Sequence, residues 1–386
     1  MKKGSNYIAI LCGLFVFGTI TSCNDDDDDD DDDIVISDDD EGEDITDETV
    51  KNQENADSAF PENIGYVLNE GSYGSNDACI AYFDADEDTT TAEYYDIFFM
   101  QNGIYLGDTG QNLIEYDDNL YVSVYGSSYV ARLSKYGVLQ TTIDFSDYGQ
   151  PRYLEAEDGY LYVSCYGGYV VKLDASTLAY VDKVEVGAAP ERMVEEGDKL
   201  YVALGYTTDL ATTDNRMAVI DLESFTVEKY VDVMENAQNV AGDGNYIFIQ
   251  GYGTDWVNTP VYVYNNLTGD VSDTGYYASF MAVEDNELFA VYSATDWTTY
   301  ESTNTFYSYN PITDTYTDLT ETITSQVSSL ASDGIYCMTN GEDDSFYLTT
   351  TDYYSYGTVY HFSSSWQLIG SFTSWGVNAN SVVVVD

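Results

Sequence analysis

Residues Gln111–Leu204 write one unit nearly three times: NLIEYDDNLYVSVYGSSYVARL (112–133), PRYLEAEDGYLYVSCYGGYVVKL (151–173) and PERMVEEGDKLYVALGY (190–206). Each copy carries an apolar strand, an acidic or glycine turn and a Leu-Tyr-Val strand. Repetition on this scale implies stacked units that bury their faces against one another. One full unit, Pro151 to Gly187, reads as four short strands, RYLEAE, LYVSCY, YVVKLD and VDKVEV. Asp158-Gly159 and Gly167-Gly168 are hairpin signals between them, and Asp174 opens a polar turn. Within LYVSCY, aliphatic Leu161, Val163 and Cys165 alternate with Tyr162, Ser164 and Tyr166, which suits a sheet covered on both faces.

The second strand of the unit recurs at Tyr66, Tyr121, Tyr162, Tyr201, Ile247, Phe289 and Tyr347, in steps of 55, 41, 39, 46, 42 and 58 residues. Four-stranded units at this period are the blades of a β-propeller, and seven positions imply seven blades. The first position lacks a preceding strand, whereas the chain ends on an unpartnered one, Ser381–Asp386. The expected fold is therefore an all-β, seven-bladed propeller. Its C-terminal strand would be innermost in the first blade, with the other strands at Tyr66, Ile80–Asp84 and Tyr94–Phe99. Such closure removes two exposed edges.

Of 386 residues, 1–22 read as an export signal: Lys2 and Lys3, then an apolar run, Ile8–Phe17, too short to span a bilayer. Ile20-Thr21-Ser22-Cys23 looks like a bacterial lipobox, with Cys23 the lipidated residue. Residues 23–62 form an acidic tether that includes nine consecutive aspartates, Asp25–Asp33, and is too charged and too poor in apolar area to collapse. Stretched out, about forty residues at ~3.3 Å each reach on the order of 100 Å. The folded domain is then 63–386.

The net charge is −57. Residues 1–62 hold 20 acids and three lysines, which leaves −40 for the propeller. A field of that sign repels nucleic acid and polyanions and tolerates neutral or cationic ligands. With Cys12 assigned to the signal and Cys23 to the lipid, Cys79, Cys165 and Cys337 are too scattered for a metal cluster or a disulfide framework, and no metal site or cofactor is expected. Asp84–Asp88 alternates like a calcium loop but lacks its glycine and distal glutamate, so a plain turn is expected. The lone histidine, His361, lies inside a strand and reads as a satisfied structural residue, which makes a Ser-His-Asp triad improbable. No spacing singles out a carboxylate pair or a phosphate loop, and the chain is not expected to be an enzyme.

The loop between second and third strands is four residues or fewer after Tyr125 and Tyr166, but long at 205–215, 251–259, 293–304 and 351–357. In an up-and-down blade these loops share one end with the connections entering each inner strand. That end gathers Tyr73, Tyr125, Tyr166, Tyr206, Tyr252, Trp256, Trp297, Tyr300, Tyr354 and Trp375 around a mouth. Asp108, Arg152, Arg192, Gln238, Asn239, Asn378 and Asn380 are expected nearer the axis. Aromatic rings give broad contact at small entropic cost, the composition of a site for a large amphipathic ligand. Tyr121, Tyr162 and Tyr201 are instead expected to pack between blades.

Ile64-Gly-Tyr-Val-Leu-Asn-Glu-Gly-Ser-Tyr-Gly74 followed by Leu106-Gly-Asp-Thr-Gly-Gln111, with the Leu-Tyr-Val repeats, resembles the YncE-like β-propeller lipoproteins of Bacteroidota over residues 63–386. The acids after Cys23 resemble the surface-export signal of such lipoproteins. The group includes BtuG-like proteins, which capture cobalamin at the cell surface and dock on a TonB-dependent transporter. The resemblance implies a surface-exposed outer-membrane lipoprotein, held to the membrane by its lipid alone, that binds cobalamin or another corrinoid and hands it to a TonB-dependent transporter. It supplies no ligand contacts. A propeller enzyme acting on polysaccharide, as a lyase or glycosidase, and a protein-interaction platform are the alternatives.

Overall fold

The computed structural model describes residues 60–61, 63–88, 96–207, 211–254, 259–296, 299 and 301–385. The leader, Cys23 and nearly all of the tether lie outside them. So do Trp256, Trp297 and Tyr300.

Seven antiparallel sheets follow one another around an axis, six of four strands and one of three. From blade 2 to blade 7 the inner strands are Gly110–Tyr116, Pro151–Glu157, Ala189–Glu195, Ala237–Gly242, Phe280–Glu284 and Gly334–Asn340. Blade 1 is closed as expected: Ala379–Val385 runs antiparallel to Ile64–Asn69, with Ile64 opposite Val385 and Tyr66 opposite Val383. Cys79–Asp84 completes its described strands. By register, the second-strand position of blade 5 is Phe248, opposite Ala241, one residue beyond the expected Ile247.

The chain departs from expectation in three places. Tyr94–Phe99 does not supply a fourth strand to blade 1, because Ile97–Asn102 is a helix. The Asp96 side chain accepts from the Phe99 N–H, and Gly103 ends the helix at φ 69°, a left-handed cap that glycine adopts without strain. Ile97 and Phe98 pack into the core shared by blades 1 and 2. Phe60, assigned to the tether, also packs there, its ring 5.2 Å from Tyr82 and 5.1 Å from Tyr136. In blade 6, the expected loop 293–304 is mostly a strand extension, with Ser293 opposite Asn304 and Asp296 opposite Glu301.

The core lies between blades. Tyr66, Tyr121, Tyr162 and Tyr201 are fully buried or nearly so. The Tyr121 hydroxyl donates to the Ala175 carbonyl of blade 3 at 2.9 Å, and the Tyr66 hydroxyl donates to the Lys135 carbonyl of blade 2. Tyr162 meets Phe225 and Tyr201 meets Tyr264 on the following blades. A ring of about 150–250 Å² at ~25 cal/mol per Å² contributes roughly 4–6 kcal/mol relative to full exposure, an upper bound.

The two ends of the disc differ in turn chemistry. Between first and second strands the chain turns on Asp117-Asp118, Asp158-Gly159, Gly197-Asp198 and Asp285-Asn286, all at positive φ. Two-residue hairpins of this kind need such φ values at both positions, and Asp, Asn and Gly tolerate them best. Much of the acidity at this end follows from turn geometry. At the other end, where inner strands begin, connections and loops crowd. A Cβ on Gly167 would sit 2.0 Å from the Tyr148 carbonyl oxygen, so glycine is required for the loop of blade 3 to close over the preceding connection.

Candidate functional site

The loop-bearing end is built in sectors. At blades 1 and 2, Gly107-Asp108-Thr109-Gly110 leads into the inner strand of blade 2. The Asp108 carboxylate accepts from the Gly74 N–H at 2.9 and 3.0 Å and from the Thr109 hydroxyl at 3.0 Å, and the Asp108 N–H donates to Ser127. Asp108 thus pins the loop that carries Tyr73, whose ring is exposed. Thr109 holds φ 59°, a costly conformation for a β-branched residue, and its carbonyl accepts from the Tyr125 N–H.

Between blades 2, 3 and 4 lies a charged core that the sequence did not announce. Arg152, only 3 % exposed, donates through Nε and Nη2 to Glu191 Oε2 at 3.1 and 2.8 Å and through Nη1 to Gln111. Its guanidinium lies over the rings of Tyr166 and Tyr125, 4.8 and 5.2 Å from their centroids. The Tyr166 hydroxyl donates to Glu191 Oε1 at 2.6 Å. Burial opposes the charge on Arg152, but Glu191 and the surrounding tyrosines more than compensate and raise its pKa. Arg152 is therefore not free to hold a guest, contrary to the expectation for it. Tyr125 is likewise buried in this cluster, edge-on to Tyr166.

At blades 4 and 5, Gln238 donates to Asn236 Oδ1 at 2.6 Å, and the Tyr252 N–H donates to the Asn236 carbonyl. Tyr206 is half-buried, and burial, with Glu191 adding to it, pushes its phenol up to about 12. At blades 7 and 1, Asn378 is buried and committed, accepting from the Thr351 hydroxyl at 2.7 Å and donating to the Gly71 carbonyl. Asn380 donates to the Gly110 and Gln111 carbonyls, so both asparagines stitch the closure. Glu70 accepts from Tyr336, and burial raises its pKa despite that bond and the Arg152 charge.

Among the described residues, the accessible rings at this end include Tyr277 between blades 5 and 6 and a group on blades 7 and 1. Tyr354 is 90 % exposed, Tyr353, Tyr356 and Tyr73 are exposed, and Trp375 lies 6.2 Å from Tyr356. Tyr353 and Tyr356 belong to the same long loop as Tyr354 and were legible there. Arg192 and Asn239 lie away from this rim, on the wall of a cavity along the axis.

The opposite end holds a second arrangement missed in the sequence. His361 Nδ1 meets both Asp88 carboxylate oxygens at 3.0 and 2.9 Å, and Nε2 meets the Ser345 hydroxyl at 2.9 Å. The order of groups is that of a Ser-His-Asp triad, while both ring nitrogens are satisfied, as expected for a structural His361. Ser345, however, is 4 % exposed and so is not offered to a substrate. His361 also stacks on Tyr347 at 4.2 Å. As Asp88 follows the last described strand of blade 1 and the other two belong to blade 7, the three clasp the closing blades together. Asp88 thus ends a turn, as expected for 84–88. Among the described residues no three acidic, histidine or cysteine side chains group to hold a metal, and Cys79, Cys165 and Cys337 are free.

No family model and no curated protein matches the chain. Among solved structures, apo AztD from Citrobacter koseri is similar over 84% of this chain and 97% of that one, at 10% identity and a TM-score of 0.52. The Pan2 WD40 domain of Neurospora crassa is similar over 76% and 87%, also at 10% identity and a TM-score of 0.52. At such identity the likeness is one of fold. The chain is a seven-bladed β-propeller, a scaffold that is compatible with ligand binding. No helix among the described residues is long and apolar enough to cross a membrane.

Proposed function

We propose that this protein is a surface-anchored binding lipoprotein. It takes a bulky, amphipathic nutrient at the loop-bearing end and passes it to a TonB-dependent transporter in the outer membrane. Cobalamin or another corrinoid is the leading candidate, on the resemblance of residues 63–386 to the YncE-like group and its BtuG-like members. The observation that carries the binding role is the concentration of exposed rings at that end: Tyr73, Tyr353, Tyr354 and Tyr356, with Trp375 beside them. Aromatic side chains left in water cost solvation that a large guest would recover. The lipobox ending at Cys23 and the acidic tether support a place on the cell surface, and the reading assigns the protein no turnover. Calorimetry of the full chain against cobalamin, cobinamide and oligosaccharides tests it. Saturable corrinoid binding that weakens when Tyr354 and Trp375 become alanine supports the assignment, and an absence of heat with every corrinoid removes it.

A further inference from the structure

At the loop-bearing end, blade 7 sets its rings on a fixed base. The loop 351–357 is tied at both ends to the connection 374–378: the Thr351 hydroxyl donates to Asn378 Oδ1 at 2.7 Å, and the Gly357 N–H donates to the Gly376 carbonyl at 3.4 Å. Between those ties the loop carries Asp352, Tyr353, Tyr354 and Tyr356, and the connection carries Trp375. Tyr353 stands 6.1 Å from the inner-strand Tyr336 at 80°, and Tyr356 stands 6.2 Å from Trp375 at 55°. Each pair is an open corner of two rings set at an angle. Tyr353 and Trp375 hold φ 67° and 60°, left-handed backbone that is costly for bulky side chains and gathers at binding sites.

The charge around these rings is one-sided. All nine basic residues of the propeller fall within 132–229, on blades 2 to 4, whereas 63–131 and 230–386 hold 32 acids and no lysine or arginine. An anionic group is repelled from such a sector. On blades 3 and 4 the chain supplies its own cations to ring faces: Lys172 lies 3.8 Å from the Tyr160 centroid, Lys183 4.0 Å from Tyr169 and Arg216 4.4 Å from Tyr230. Blade 7 has no lysine or arginine to place in its corners. Asp352 is exposed among the rings and stays ionised, because the Ser355 hydroxyl and the N–H groups of Ser355 and Tyr354 donate to it and hold its pKa down at about 2. Its oxygens already accept three bonds, so it offers a guest charge and not a hydrogen-bond partner. A cation without N–H donors suits both the ring faces and that carboxylate.

We propose that the ring corners of blade 7 bind an alkylated ammonium group, held on the faces of Tyr353, Tyr356 and Trp375 with Asp352 as counter-charge. This goes beyond the corrinoid reading and rests only on the loop-bearing end being the end that binds. The test is ligand-observed NMR titration of the full chain with choline, 3,3-dimethylbutan-1-ol and 3,3-dimethylbutanoate, which share a branched head and differ in charge. Choline should saturate, bind about tenfold more tightly than the alcohol and weaken in high salt, and the carboxylate should not bind. Tyr353→Leu/Tyr356→Leu, which keeps apolar bulk and removes the ring faces, should weaken choline about tenfold. Asp352→Asn should weaken it about threefold. Tyr180→Leu, at an exposed ring on blade 3, should change nothing. The proposal is overturned if choline does not saturate, if the alcohol or the carboxylate binds as tightly, if the double variant keeps its affinity, or if Tyr180→Leu loses as much. Should the double variant not fold, Trp375→Leu, Asp352→Asn and the charge series decide. Corrinoid heat without choline binding removes this inference alone, and choline binding without corrinoid heat removes the corrinoid and leaves it standing.

Discussion

Replacing Arg152 with methionine removes a buried cation and leaves its partner stranded. Arg152 and Glu191 side chains are 4% and 2% exposed, with Nη2 and Oε2 2.8 Å apart. In the variant, Glu191 loses two charge-assisted bonds and keeps the Tyr166 hydroxyl, Gln111 loses a donor, and Tyr125 and Tyr166 lose the cation lying over them. Breaking one side of a buried ion pair costs about 3–5 kcal/mol, largely because the remaining charge is uncompensated. Removing both charges is far cheaper, since the desolvation cost disappears with them. Arg152→Met should therefore lower stability in urea by about 3–5 kcal/mol, whereas Arg152→Met/Glu191→Leu should recover most of that loss. Urea unfolding followed by circular dichroism on the two single variants and the double variant gives the coupling directly. A single-variant cost below about 1 kcal/mol, or additive losses in the double variant, would refute the idea that this pair is a desolvated structural core.

Three further outcomes are expected. Glu155 has a folded-state pKa raised to about 8, mainly by burial. The folded state then keeps a proton that the unfolded chain gives up from about pH 4.5, so stability declines as pH rises from there to about 8. Glu155→Gln should raise the melting temperature at pH 8.5 and leave it unchanged at pH 4, and an equal effect at both values counts against a buried acid. His361→Ala should cost about 1.5–3 kcal/mol, as hydrogen bonds to charged groups do, and Ser345→Ala about 1 kcal/mol, both measured by thermal melts. Deleting residues 379–386 leaves Ile64–Asn69 with an open edge; size-exclusion chromatography should show association or loss of the compact monomer.

The repeat period was legible because each blade forms its own sheet from consecutive strands, so neighbouring residues carry the signal. Closure by the tail was legible for a similar reason, as a strand without a partner faced a blade without an inner strand. The helix Ile97–Asn102 was misread because its aromatic, β-branched sequence favours strands, although Asp96 and Gly103 stand at its caps. Glu191 and Glu70 were invisible for another reason. Among so many acids, sequence has no mark for the few that are buried. The Asp88–His361 contact joins positions 273 residues apart and becomes apparent only once the ring is closed. Arg152 and Arg192 look alike in sequence, each on an inner strand, yet one is spent on Glu191 and the other is not. That difference depends on side-chain partners across blades, which strand periodicity does not encode.

The most direct test of the binding role is calorimetric titration of the full chain with cobalamin, cobinamide and a panel of oligosaccharides, repeated on a Trp256→Ala/Trp297→Ala variant and on Tyr73→Ala/Tyr354→Ala. Saturable heat with a corrinoid is expected, weakened about 30-fold in at least one variant, as loss of a ~2 kcal/mol aromatic contact would produce, with melting temperatures unchanged. No heat with any of these compounds, or binding that neither variant disturbs, would contradict it.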